Sequence, residues 1–267
     1  MDRSYSLLQK ATRADIRTSP YPMLVLDDAL PAPLYSELEK SFPSMLAMGI
    51  FDRKNNHRWN YSNSKARRNP LIPRVWREFL AYHSSQAFYD DIIELFEDAI
   101  KGVYPGRFDK DELRTMRAGA RNVDADGSRD VFMDAMLAGN TPVTAASSVR
   151  TTHVDAGDKL FSGLLYMRPN GYDAVGGDLT ISRFKPEYAT DKLANFKAQY
   201  VDDERVDIIE TVPYAKNRLV LFVNTLDSLH GVTVRQPTRK HRLFVNLVGE
   251  VDPPLYVLPG KGPTGMS

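Results

Sequence analysis

The residues best suited to chemistry are Thr151-Thr152-His153-Val154-Asp155 and, 75 residues beyond Asp155, Ser228-Leu229-His230-Gly231-Val232. On an extended strand, residues two apart point to the same side, so His153 and Asp155 project together. His230 joins them only through folding. Two imidazoles and one carboxylate on one face of an octahedron leave three positions open, an arrangement that suits non-haem Fe(II). Alone, a His-x-Asp is a weak signal, because a histidine is more often structural or superficial than a ligand. The neighbouring sequence reverses that weighting.

The chain has 267 residues, 42% hydrophobic and 26% charged, with a formal net charge of +1. That is ordinary globular composition. The balanced charge gives no general reason to expect nucleic-acid or membrane binding. Cysteine is absent, which excludes disulfides, thiolate catalysis and Cys-based zinc sites. No apolar h-region follows Met1 and no apolar run approaches the length of a membrane span. The expectation is a cytoplasmic protein.

The elements that must position these residues fall into two textures. Tyr21 to Asp28 reads as a short apolar strand, and Pro31-Ala32-Pro33 opens a helix to about Phe42. Met45 to Pro73 is polar and irregular, and reads as a solvated loop or a flap over a site; Lys65, Arg67 and Arg68 within it are candidates to contact an anionic substrate. Val75 to Tyr82 and Gln86 to Ile100 read as helices, the second with Phe88, Ile92, Leu95, Phe96 and Ala99 at helical spacing. Gly102 and Pro105 end it.

From about Leu113 short strands take over. Candidates are Thr115 to Asn122, Val131 to Leu137, Ala146 to Asp155, Ser162 to Arg168, Asp178 to Phe184, Val206 to Val212, Arg218 to Val223, Gly231 to Val234 and Arg242 to Val248. Lys185 to Asp203 reads as a charged, partly helical insertion, and Ala215-Lys216-Asn217 as a turn. Regularly spaced short strands indicate a sandwich or barrel, and their number fits a double-sheet jelly roll. The expected organisation is one integrated domain: residues 1–110 a mainly helical support region with one strand, 111–250 the catalytic core, and 251–267 an extended tail. The fold class is mainly β (α+β), with the N-terminal helices packed on one sheet.

The C-terminal half resembles the prolyl-4-hydroxylase-like branch of the Fe(II)/2-oxoglutarate dioxygenases. The matching blocks are His153-Val154-Asp155, Gly163-Leu164-Leu165-Tyr166-Met167, Gly176-Gly177-Asp178-Leu179, Asn217-Arg218-Leu219-Val220-Leu221-Phe222, Leu229-His230-Gly231-Val232 and Arg242-Leu243-Phe244-Val245-Asn246. They occur in the family's order and roughly its spacing, over about residues 145 to 250. The resemblance implies a double-stranded β-helix. It implies Fe(II) held by His153, Asp155 and His230, with 2-oxoglutarate and O2 as cosubstrates. It also implies a basic residue on a late strand, paired with the distal carboxylate of 2-oxoglutarate, and a second contact from Tyr166. In the family that basic residue commonly falls nine or ten positions past the second histidine. Here Arg239 and Lys240 stand at that count, and Arg242 stands at twelve.

Strand parity favours Arg242. It shares a side with Phe244, Asn246 and Val248, whereas Leu243, Val245 and Leu247 form an apolar side suited to packing beneath helices. Arg239 and Lys240 follow Pro237-Thr238 and read as turn residues. A buried carboxylate needs a charge-assisted and preferably bidentate partner, which Arg supplies. Arg150 stands two residues before Thr152 and is a candidate substrate contact. Related halogenases replace the carboxylate ligand with a small residue, so Asp155 implies hydroxylation or another oxidation.

Other chemistries find less support. Ser228, His230 and an Asp lack a Gly-x-Ser-x-Gly elbow. Gly171 to Gly177 is not followed by Lys-Ser/Thr, so it is no P-loop. The basic run Arg235 to Arg242 lacks interleaved aromatics and reads as a solvated loop ending at the cosubstrate anchor. His57, His83 and His241 read as surface or structural residues. The alternative function is a metal-binding jelly roll that senses or binds a ligand without turnover. Arg242 and Tyr166 weigh against it, since a pure binding module has no use for a cosubstrate pocket. Substrate identity, peptidyl or small molecule, is not encoded in any motif.

Overall fold

The computed structural model describes residues 2–124 and 128–259. In chain order its elements are β1 (Met23–Leu26), α1 (Ala32–Lys40), β2 (Arg58–Tyr61), α2 (Asn63–Arg68), α3 (Arg74–Tyr82), α4 (Gln86–Val103), α5 (Glu112–Thr115), β3 (Ala118–Ala120), β4 (Val131–Asn140), β5 (Lys159–Tyr166), β6 (Leu179–Phe184), β7 (Phe196–Lys197), β8 (Tyr200–Val201), β9 (Val206–Val212), β10 (Leu219–Val223), β11 (His230–Val232) and β12 (Arg242–Val251).

The strands form two facing sheets. The major sheet runs β1-β10-β5-β12-β4-β2, with β3 beside β4; the minor sheet runs β11-β6-β9, and β7 and β8 make a separate hairpin. Along the major path every pairing is antiparallel. One face of the major sheet is covered by the helices. Phe88, Ile92, Phe96 and Ile100 form the buried stripe of α4, and with Trp76 and Phe79 of α3 they share a core with Leu165, Leu221, Val245 and Leu247. Phe244, Tyr166, Val220 and Phe222 project from the other face and pack against Leu179, Ile181 and Val212 of the minor sheet. β10 is uninterrupted Leu-Val-Leu-Phe-Val because both its faces are buried. β12 alternates as its parity predicts: Leu243, Val245 and Leu247 face the helices, while Arg242, Phe244 and Asn246 face the space between the sheets. This is the jelly roll read from the sequence.

Three expectations need correction. The stretch from Met45 to Pro73 is not a loop: it holds β2 and α2, and buries Trp59, Tyr61, Ala66 and Ile72. The first hundred residues therefore supply two strands, one at each edge of the major sheet. Ala146 to Asp155 is not a continuous strand. It pairs only at single points, Ser147 with Arg235 and His153 with both Tyr200 and His230. The Ser148 hydroxyl is shared between the carbonyls of Arg150 and Val232 at 3.0 and 2.6 Å, and the Arg150 carbonyl also accepts from the Val232 N–H at 2.9 Å. The insertion from Lys185 to Asp203 contains short 3-10 turns and the β7–β8 hairpin. The tail is anchored where it is described: Leu258 is buried, and Tyr256 donates its hydroxyl to the Asp155 carbonyl at 2.8 Å. Residues 260–267 lie outside the described residues.

Candidate active site

His230 opens β11, and its backbone pairs with that of His153, which fixes the two imidazoles side by side with ring centroids 4.2 Å apart. Each ring is oriented by its own chain. His153 Nδ1 lies 2.8 Å from the Thr151 carbonyl, and His230 Nδ1 lies 2.8 Å from the Ser228 carbonyl. A carbonyl only accepts, so each Nδ1 carries the proton and each Nε2 keeps a free lone pair. His153 Nε2 stands 3.9 Å from Asp155 Oδ1. One ligand atom from each of His153, Asp155 and His230 lies within 4.8 Å of the others, and all three residues are buried. Burial pushes the pKa of both imidazoles down, with the neighbouring His230 and Arg150 adding to the effect on His153. They are held neutral, the state a ligand needs.

Asp155 is buried, which acts to raise its pKa, but the charges of Lys159 and Arg150 oppose this, and the carboxyl is held well below the usual range. Its Oδ2 accepts from Ser162 Oγ at 2.6 Å and pairs with Lys159 Nζ at 3.1 Å. Asn224 in turn donates to Ser162 Oγ at 3.1 Å. These partners leave Oδ1 facing the imidazoles. Arg150 Nη1 reaches that oxygen at 3.5 Å, so the residue singled out as a substrate contact does face the cavity.

Arg242 is buried and lines the same cavity. Its Nε donates to the Gly177 carbonyl at 2.7 Å. The guanidinium lies 5.0, 4.8 and 5.1 Å from the ring centroids of Tyr166, Tyr214 and Phe244. Gly176 and Gly177 adopt φ of +80° and +85°. A Cβ at Gly176 would stand 1.8 Å from the Val234 carbonyl oxygen, so the turn that presents the Gly177 carbonyl requires glycine there. Arg242 Nη2, Tyr166 OH and His153 Nε2 are buried without a hydrogen-bond partner among the described residues. Such atoms are costly to bury unpaired. Two lie where an anionic group would satisfy them, and one where a metal would. The donor set therefore fits both groups that the resemblance implies.

Arg239 and Lys240 are exposed, as expected of turn residues. Lys65, Arg67 and Arg68 are exposed on α2 and do not line the cavity, so they are not its anion contacts. Arg58 lines it instead. It lines the cavity from β2 together with Arg150, Lys159 and Arg242. The alternation Arg58-Trp59-Asn60-Tyr61, with both aromatics buried, carried this signal in the sequence, but four residues between turn-forming asparagines give it little length. Arg235 is a second surprise. Far from solvated, it is fully buried and donates to Asn56 Oδ1 at 2.6 Å, the Thr141 carbonyl at 3.1 Å and the Lys240 carbonyl at 3.1 Å.

No family model matches the chain, and no curated protein sequence matches it. Solved structures do. A prolyl 4-hydroxylase from Phytophthora capsici aligns at 12% identity and TM-score 0.50, covering 96% of this chain and 66% of that one. A Pseudomonas putida prolyl-4-hydroxylase aligns at 14% identity and TM-score 0.48, covering 92% and 99%. EctD from S. alaskensis, solved with 2-oxoglutarate and 5-hydroxyectoine, aligns at 13% identity and TM-score 0.46, covering 90% and 77%. At such identity the likeness to the Phytophthora enzyme is one of architecture alone: the two chains share a fold.

Proposed function

We propose that this chain is a non-haem Fe(II)/2-oxoglutarate-dependent dioxygenase that hydroxylates a C–H bond of an amino-acid, peptidyl or small-molecule substrate. The observation that carries this reading is the convergence of His153, Asp155 and His230 within 4.8 Å, beside a buried arginine, Arg242, that has no carboxylate partner among the described residues. When bound, Fe(II) with 2-oxoglutarate and O2 supplies the oxidation, in which the oxo-acid loses CO2 to become succinate and one oxygen atom passes to the substrate.

The chain's own residues prepare that chemistry. His153 and His230 present neutral Nε2 lone pairs, their rings fixed by the Thr151 and Ser228 carbonyls. Asp155 presents one oxygen, because Ser162 and Lys159 occupy the other. Three protein ligands leave three positions for the oxo-acid and O2. Arg242 and Tyr166 would hold the distal carboxylate, with Gly177 setting the guanidinium and the Tyr214 and Phe244 rings excluding water from it. Water exclusion strengthens that pairing. Asp155 fills the position a halide would need, which favours hydroxylation over halogenation.

The test is succinate release by purified protein supplied with Fe(II), 2-oxoglutarate and O2, combined with mass spectrometry of candidate substrates for a gain of one oxygen. Oxygen-dependent succinate formation supports the reading. Binding of metal and 2-oxoglutarate with no succinate under any condition would instead favour a ligand-binding module.

A further inference from the structure

The cavity that holds the triad is lined by Arg58, Arg150, Lys159 and Arg242, and by a single acidic residue, Asp155. Beside it lies a vestibule of about 460 Å³, lined in part by the same Arg58, Arg150 and Lys159. That is the size of a small-molecule site. In the vestibule Arg121 is paired with Glu250, and Lys159 and Arg150 both lean on Asp155. Arg58 has no acidic partner among the described residues. Its contacts are the Asn60 side-chain oxygen at 3.4 Å and the face of the Phe244 ring at 5.2 Å.

A half-buried cation without a counter-ion is costly. Burial lowers the Arg58 pKa to about 10, with Arg150 and Arg242 adding to the effect and Asp155 opposing it. Loading the site does not relieve this charge, because a metal dication and the 2-oxoglutarate dianion cancel each other. Arg242 is then occupied. A metal on Asp155 also competes with Arg150 for Oδ1, the oxygen that faces the imidazoles. Arg58 and Arg150 are thus left facing the vestibule without an anion. Tyr200 lines the same space, 39% exposed, its ring 5.8 Å from that of His153. It offers an apolar surface to the body of a ligand.

We propose that Arg58 and Arg150 form the subsite for an oxyanion of the substrate, so that the molecule oxidised is a small organic acid bearing a carboxylate or phosphate group. This rests on the oxygenase reading above and narrows it. Arginine suits the role because its planar fork meets a carboxylate or phosphate with two parallel hydrogen bonds. Opposed cations from β2 and from the segment before His153 would fix the acid at the mouth, with its C–H bonds directed toward the triad.

The test is calorimetric titration of Mn(II)-loaded protein, saturated with 2-oxoglutarate to fill the inner site. The probes are 3-phenylpropionate, 2-phenylethylphosphonate and the neutral 3-phenylpropionamide. At least one acid should bind about tenfold or more tightly than the amide, as one charge-assisted hydrogen bond implies, and which acid does so separates carboxylate from phosphate. R58Q should erase that preference while still binding 2-oxoglutarate, and R150Q should weaken it. If the wild-type protein binds acid and amide equally, or binds none of the three probes, or if R58Q keeps the preference, the subsite is wrong and the oxygenase reading stands. If Mn(II)-loaded protein fails to bind 2-oxoglutarate at all, the oxygenase reading falls and this proposal falls with it.

Discussion

His153 and His230 exchange both of their backbone hydrogen bonds: each amide N–H donates to the other's carbonyl at 2.9 Å. The two proposed ligands are therefore one hydrogen-bonded antiparallel pair, and their spacing is set by main chain rather than by side-chain packing. The ring of each is then fixed to a carbonyl two residues earlier on its own segment.

It follows that either imidazole can be removed without disturbing the pairing. His153→Ala and His230→Ala should each abolish 2-oxoglutarate turnover and lower Fe(II) stoichiometry, while the circular dichroism spectrum stays that of the parent. Metal analysis and succinate assays check this. Near-normal turnover in either variant, with iron as the only metal, would remove the triad assignment.

How far the sequence discloses this site depends on the range of the signal. His153, Asp155 and His230 carry their types in the sequence and sit in recognisable blocks, so the cluster could be read before the fold was seen. The parity of β12 likewise separates Arg242 from Leu243. Arg58 was hidden because β2 has only four residues, and its strand pattern means nothing until β4 lies beside it. Arg235 was misread for a related reason. Its partners Asn56 and Thr141 are distant in sequence, so a basic run gives no sign that one member is buried. Strand periodicity also misled at Ala146 to Asp155, where pairing is confined to isolated bridges at Ser147 and His153.

Arg242 separates two ways of locating the cosubstrate anchor. Arg242 is 2% exposed and its Nη2 has no partner among the described residues, whereas Arg239 and Lys240 lie in solvent. Leaving a buried carboxylate unpaired costs about 3–5 kcal/mol, or roughly two to four powers of ten in binding. Arg242→Gln should raise the 2-oxoglutarate requirement by about a hundredfold or more. Arg239→Gln and Lys240→Gln should change it by less than about tenfold, as exposed pairs do. The reverse ranking in a binding titration would place the anchor in the turn.

Arg235 should matter to stability rather than to the cosubstrate. Its guanidinium ties Asn56, two residues before Arg58, to Thr141 and Lys240, and Asn56 donates to the Ser147 carbonyl at 2.9 Å, three residues before Arg150. Arg235→Gln would leave buried acceptors unpaired. We expect a loss of about 3 kcal/mol in urea unfolding, with 2-oxoglutarate affinity in the folded fraction changed far less than by Arg242→Gln. Equal stability of variant and parent would show that these bonds are replaced by water.

The last prediction concerns pH and a histidine far from the triad. His83 is fully buried between α3 and α4, with ring centroids 4.2 Å from Phe79 and 4.5 Å from Phe88. Its Nδ1–H donates to the Phe79 carbonyl at 2.8 Å, and its Nε2 accepts from the Leu7 N–H at 3.4 Å. Protonating Nε2 would break the second bond and bury a charge among aromatic rings. Burial accordingly drives the pKa down to about 3, against some opposition from the Phe79 bond. An unfolded chain titrates this group near its ordinary value of about 6.5. Above that pH neither state binds the proton, and His83 adds no pH dependence. Between about 6.5 and 3 the unfolded chain takes up a proton that the folded protein refuses, so stability falls as pH falls, by about 1.4 kcal/mol per unit. The triad histidines titrate in the same direction, and comparison with His83→Gln cancels them. At pH 7 the wild type should be the more stable protein, because glutamine fills the ring's place poorly. That advantage should shrink by about 1.4 kcal/mol for each unit below about pH 6. Urea unfolding of both proteins at pH 7, 6 and 5 measures it. A difference that stays constant across this range would mean that His83 is reached by solvent and protonates in the folded state.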